Sequence, residues 1–172
     1  GKTWYRLGKH YMAEANPDEA VRALERARRA DPMHLRSQLA LAQAYALAGR
    51  PADAMRIYER MVALHHSPVG QIRAIPEVPD WEYGIAYAAI AETALREWKA
   101  EEALANLKEA KAVLGELWRL RNDAMVRIRV TDDVLREVEA RYSWVLEQQT
   151  STLRKLGRNE EAEAAAAELR RL

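Results

Sequence analysis

The sequence predicts an all-α chain of antiparallel helix pairs, and three observations carry that prediction. Ala, Leu, Glu and Arg, all strong helix formers, dominate the 172 residues. Apolar residues recur at amphipathic-helix spacing, as in Trp4, Leu7 and Tyr11. The pattern they begin then returns along the chain at a period of about 34 residues, the mark of stacked repeats.

Eight helices follow in order, at 2–15, 17–30, 33–48, 51–65, 81–97, 100–128, 131–156 and 159–171. Trp4, Leu7 and Tyr11 form the apolar stripe of the first. Gly8 and Ala20 are small where the first two helices cross, because a larger side chain would push them apart. Asn16-Pro17-Asp18-Glu19 starts the second helix with a cap, a proline in the first turn and two acids at the positive end of the dipole. Pro32 ends it.

"VRIRV" at 126–130 alternates like a strand, but a lone five-residue strand has no partner in this chain, so it reads as the end of the long helix 100–128. Thr131-Asp132-Asp133 caps the next helix, whose stripe is Val134, Val138, Tyr142, Val145, Gln149, Leu153 and Leu156. At ~1.5 Å per residue that helix is ~39 Å long, so 100–156 is expected to project as a long antiparallel hairpin.

Trp4, Leu7, Gly8, Tyr11, Ala20, Leu24, Ala27 and Pro32 together resemble the tetratricopeptide repeat, with Leu24 in place of the usual Phe. A second copy carries Leu41, Ala42, Tyr45, Gly49, Ala54, Tyr58 and Met61. A third carries Tyr87, Ile90, Ala91, Ala94, Ala103, Leu107 and Ala110, and a fourth Leu146, Leu153, Gly157, Ala162 and Leu169. The match is strongest over 1–65, and about 25 extra residues separate the third copy from the fourth. The resemblance implies a right-handed α-solenoid of about four helix pairs in a single domain. Its parts would be repeat 1 at 1–34, repeat 2 at 35–65, an insertion at 66–80, repeat 3 at 81–117, and an extended hairpin with repeat 4 at 118–172. It also implies that Trp4-type positions are buried between helices.

The insertion holds Pro68, Pro76 and Pro79 together with Val69, Ile72, Ile75 and Val78. Apolar spacing of three matches polyproline II, with one face of an extended segment apolar. Residues 68–79 are therefore expected to lie extended, apolar face down on the helices, bracing the second repeat against the third or filling the groove as a built-in pseudo-ligand.

Little in the sequence carries chemistry. The pairs Asp18-Glu19, Glu101-Glu102, Asp132-Asp133 and Glu160-Glu161 all fall in predicted first turns, where the helix dipole accounts for them. Neighbours His65-His66 point about 100° apart on a helix and lack a ligand at metal spacing, so no metal is expected. No nucleophile elbow, phosphate loop or Cys–His pair occurs, and no cofactor or enzymatic activity is expected. Arg119, Arg121, Arg127 and Arg129 form the densest basic cluster, but Asp123, Asp132 and Asp133 dilute it and it reads as a solvated helix face. With a net charge of +1 and both signs interspersed, no nucleic-acid partner is expected. Cysteine is absent, which excludes disulfides and thiolate chemistry. No run of eighteen apolar residues or leader occurs, so this segment is not expected to insert into a membrane. The first residue is Gly, which reads as a trimmed domain or a tag-cleaved product. The preference for Arg over Lys, 21 to 6, fits a GC-rich or thermophilic bacterial source.

By the resemblance, one face of each repeat's first helix lines a concave groove. Those positions are Lys2, Tyr5, Lys9 and Met12, then Arg36, Leu39, Gln43 and Leu47, then Ile85, Glu92 and Arg96, and last Trp144, Glu147 and Arg154. Trp144 lies opposite the Val138–Tyr142–Val145 stripe, which suits a contact anchor or a residue covered by a neighbour. The asparagines Asn16, Asn106, Asn122 and Asn159 fall off the groove, so the two-carboxylate clamp known in the family is not expected. The leading expectation is a protein-interaction module that takes a peptide or helix of a partner. The alternatives are the soluble tail of a membrane-bound protein of cell-envelope or polysaccharide assembly, and a self-associating scaffold. A cytoplasmic location is favoured, with a periplasmic or membrane-tethered one open through flanking sequence.

Overall fold

Proline and glycine punctuation sets the helix order. The computed structural model describes residues 1–73 and 78–172, with the side chains of 71–73 outside the description, and divides into two compact units, Gly1–Ser67 and Pro68–Leu172.

The first unit holds α1 (Lys2–Ala13), α2 (Pro17–Ala30), α3 (Leu35–Leu47) and α4 (Pro51–His65). Pro17 and Pro51 open α2 and α4, where their fixed φ suits the first turn and no N–H is needed. Asn16 occupies the cap position of α2, but its side chain accepts no capping bond, contrary to the sequence reading. Consecutive helices pack as antiparallel pairs, α1 on α2, α2 on α3 and α3 on α4. Their core is built from Ala20, Leu24, Ala27, Leu41, Ala42, Ala54, Tyr58 and Met61, all buried.

The second unit holds α5 (Pro68–Arg73), α6 (Trp81–Arg96), α7 (Ala100–Arg119), α8 (Ala124–Arg129), α9 (Asp132–Lys155) and α10 (Asn159–Leu169). Here α6 packs on α7, α7 on α9, and α9 on α10. Tyr87, Ala91, Ala103, Leu107, Ala110, Leu146 and Ala162 form the core at the positions the repeat requires.

Four turns fix the register of the helix pairs. After α1, α3, α6 and α9 the chain enters a left-handed residue: Ala15 (φ 53°), Gly49 (φ 71°), Trp98 (φ 59°) and Gly157 (φ 73°). Each is followed by the same bond back to the end of the helix, Asn16 N to Tyr11 O, Arg50 N to Tyr45 O, Lys99 N to Ala94 O and Arg158 N to Leu153 O. That is the six-to-one bond of a Schellman cap. Counting back from these residues aligns Gly8 with Ala42, Ala91 and Thr150, and counting forward aligns Ala20 with Ala54, Ala103 and Ala162, every one of them buried.

The structure corrects the sequence reading in further places. Residues 68–73 are a short helix, not an extended run: Pro68 sits at a helix start, where proline is favoured as much as in polyproline II. Val69 is 54% exposed, so it does not face down onto helices; the side chain of Ile72, and Ile75 and Pro76 altogether, lie outside the described residues. The helix expected over 100–128 stops at Arg119, and a new helix starts after Asp123, whose carboxylate caps it by accepting from Met125 N at 2.8 Å. The 126–130 stretch is thus mostly helical, but in α8, which buries Val126. Beside the α7–α9 hairpin, α6 packs on α7 and α10 on α9. Trp4 is only half-buried: its ring carries the Arg26 guanidinium at 4.7 Å rather than a closed apolar shell.

No described helix is long and apolar enough to cross a membrane.

Candidate functional site

In the first unit, the positions assigned to a binding face lie on α1 and α3. Lys2 and Lys9 are exposed, Met12, Arg36 and Gln43 half-buried, and Leu47 exposed at the end of α3. Tyr5 stands edge-on to the His34 ring, 5.4 Å between centroids, which ties α1 to the start of α3. His34 itself caps α3, its Nδ1 accepting from Ser37 N at 3.2 Å. Leu39 is only 3% exposed and belongs to the core. The reason is local: α3 is flanked by α1, α2 and α4 and is buried around most of its circumference.

In the second unit the positions lie on α6 and α9. Ile85 is 2% exposed, inside the run Trp81–Ala88 that is buried throughout, so it is also a core residue. Three of the others meet. Arg96 Nη2 bonds Glu92 Oε1 at 2.5 Å on α6, and Arg141 of α9 reaches the other Glu92 oxygen at 3.6 Å. The same Arg141 lies over the Trp144 ring, 5.3 Å from its centroid. Glu92, Arg96, Arg141 and Trp144 thus make one aromatic and charged cluster across two helices. Cation–π stacking on a partly exposed indole stabilises by about 0.5–1 kcal/mol and holds the ring in a fixed orientation.

Arg141 was missed in the sequence reading, although it stands one turn from Trp144 and that spacing places the two together. Glu147 continues the exposed face of α9. Arg154 turns away from the cluster to Glu163 of α10, at 2.7 Å.

The remaining candidates are structural. The acidic pairs occupy the first turns of α2, α7, α9 and α10. Arg119 pairs with Glu116 at 2.6 Å, Arg127 with Asp132 at 2.7 Å, and Arg121 stacks on Trp118 at 4.2 Å, so that basic cluster is divided among local partners. His65 and His66 end α4 with their rings tilted 44° to each other.

A cavity of about 750 Å³ in the second unit lies elsewhere, between α7 and α10 with Tyr142, Gln149 and Leu153 of α9 at its floor. None of the predicted groove positions lines it. Lys111 of α7 and Glu168 of α10 bridge it at 2.5 Å.

Antiparallel helix pairs joined by recurring left-handed turns, with small residues at each crossing, define a helical-repeat protein. The family model described as Tetratricopeptide repeat matches residues 5–66, and that stretch is therefore a pair of tetratricopeptide repeats. The chain is also similar to the crystal structure of nearly identical TPR-like repeats of a Podosopora anserina protein described as a kinesin light chain, at 19% identity and a TM-score of 0.47, over 98% of this chain and 92% of that one. It is similar to the crystal structure of MamA at 17% identity and a TM-score of 0.45, over 95% and 92% of the two chains. No curated protein sequence matches it.

Proposed function

We propose that the chain is a non-catalytic protein-interaction module that binds a peptide or helix of a partner on the exposed faces of its first helices. Tetratricopeptide repeats support protein–protein interaction scaffolds in general, which sets the class. The finer reading is carried by the Glu92–Arg96–Arg141–Trp144 cluster, where a stacked indole stays partly open to solvent between paired charges. Tryptophan and arginine held in place before binding are the residue types that dominate interface energetics. Tyr5, Met12 and Leu47 supply comparable apolar contact area in the first unit, beside Lys2, Lys9 and Arg36.

The test places a photo-crosslinking side chain at Arg96 or Glu147, and separately at Glu163 on α10 as a control. The proposal expects one partner to be captured from the first two positions and not from the third. Capture from Glu163 alone, or equally from all three, would remove the first-helix face as the binding surface.

A further inference from the structure

The first unit holds a second cavity, of about 400 Å³, between the end of α2, the chain leading into α3, and α4. Three arginines line it: Arg28 and Arg29 from α2 and Arg60 from α4. Pro32, Met33 and Leu64 supply the apolar part of the wall. Gln38, itself buried, fixes one side by donating from Nε2 to Pro32 O at 2.6 Å.

The charge in this cavity is not balanced. Arg29 has one acid, Glu25, at 3.4 Å. Arg28 and Arg60 make no ion pair among the described residues, and the Arg28 Nε is buried with no acceptor. A buried donor left without an acceptor costs about 1–3 kcal/mol. The negative C-terminal end of α2 favours arginines in its last turn, and Arg28 and Arg29 are there. That effect accounts neither for Arg60, one helix away, nor for enclosing the Arg28 Nε where nothing accepts from it.

We infer that this cavity is a binding site for an acidic segment of a partner protein, one that presents a carboxylate beside an aliphatic side chain. The carboxylate would accept from the guanidinium ends of Arg28 and Arg60, planar forks that suit two carboxylate oxygens. The aliphatic neighbour would lie against Met33 and Leu64. A volume of about 400 Å³ holds a few side chains and no folded element. The apolar wall favours a carboxylate on a carbon stem over a fully hydrated phosphate. The site lies between the second helices of the two pairs and the start of α3, and shares no residue with the first-helix face proposed above.

The test uses the full chain with ¹⁵N-labelled arginine side chains. The probe is acetyl-Leu-Glu-Leu-Glu-amide, with acetyl-Leu-Gln-Leu-Gln-amide and inorganic phosphate as comparison arms. The site predicts a saturable shift of the Arg28 Nε–Hε resonance with the acidic peptide and none with the glutamine peptide. Arg60→Gln should weaken binding about tenfold or more, the loss of one charged hydrogen-bonded contact, with the melting temperature unchanged because Arg60 is exposed. Four results would each overturn the proposal: no saturable shift, equal binding of the glutamine peptide, unchanged affinity in Arg60→Gln, or phosphate alone reproducing the shift and displacing the peptide.

Discussion

The Tyr142 hydroxyl on α9 donates to Glu168 on α10, and Lys111 on α7 bonds the other Glu168 oxygen at 2.5 Å. One carboxylate therefore joins three helices of the second unit. Burial raises the Glu168 pKa, but the bonds from Lys111 and Tyr142 outweigh it and hold the group below its ordinary value. A depressed folded-state pKa contributes stability that is present above the unfolded value, near 4.5 for this group, and is lost as pH falls through the folded one. The melting temperature is accordingly expected to fall as pH drops below about 4.5, more steeply in the native chain than in Glu168→Gln. Equal slopes in calorimetric scans would show that Glu168 is not the linked group.

The same triad acts at the alkaline end. Burial first, and then the hydrogen bond and charge of Glu168, push the Tyr142 phenol well above its ordinary range. Tyr87, enclosed in the core near Glu109 and Tyr83, is pushed up to about 12. A raised folded-state pKa means stability that is complete below the unfolded value, about 10, and lost above it as only the unfolded chain ionises. Unfolding midpoints in urea should therefore decline above about pH 10. Tyr142→Phe should start lower at neutral pH and decline less; an identical decline would exclude Tyr142 as a source.

How much of this was legible in the sequence depends on which residues carry the information. Ala20, Leu24, Ala54, Ala103 and Ala162 announce themselves because close helix crossings admit only small or well-fitted side chains, and each is buried. Gly49 and Gly157 mark their turns because glycine takes positive φ at little cost. Trp98 and Ala15 do the same job without any such mark, since neither residue type favours that conformation. Leu39 and Ile85 fit the family's binding positions, but repeat position alone does not tell how much of a first helix is covered. The break at Arg119 was hidden for another reason: 120–123 holds no proline or glycine, and Asp123 becomes a cap only because the chain turns there.

At the first crossing, Gly8 of α1 faces Leu24 of α2 with no room to spare. A β-carbon at Gly8 would come within 2.8 Å of Leu24 Cδ2, and closer still to its Cγ. Leu24 is fully buried, so the clash can be relieved only by moving the helices apart. Gly8→Ala should destabilise by about 1–3 kcal/mol, although alanine is the better helix former. In a double-mutant cycle, Leu24→Ala should recover part of that loss; strict additivity would show that the two sites do not touch.

The four left-handed turns offer a paired experiment with opposite signs. Trp98 holds φ 59° and is 86% exposed, so its side chain gains little from the fold in exchange for an unfavourable backbone. Left-handed backbone costs a non-glycine residue about 1–2 kcal/mol, and glycine avoids most of it. Trp98→Gly should therefore stabilise the second unit, by about 1 kcal/mol after the greater freedom of an unfolded glycine is deducted. Gly49 and Gly157 occupy the matching positions, and a β-carbon at either would meet nothing within 4 Å. Gly49→Ala and Gly157→Ala should thus cost about 1 kcal/mol through backbone strain alone, with no contribution from packing. Denaturant midpoints at unchanged m-value measure all three. If Trp98→Gly is destabilising by the same margin as the alanine variants, the indole holds contacts that outweigh its backbone strain, and its exposure is not a reliable guide to its role.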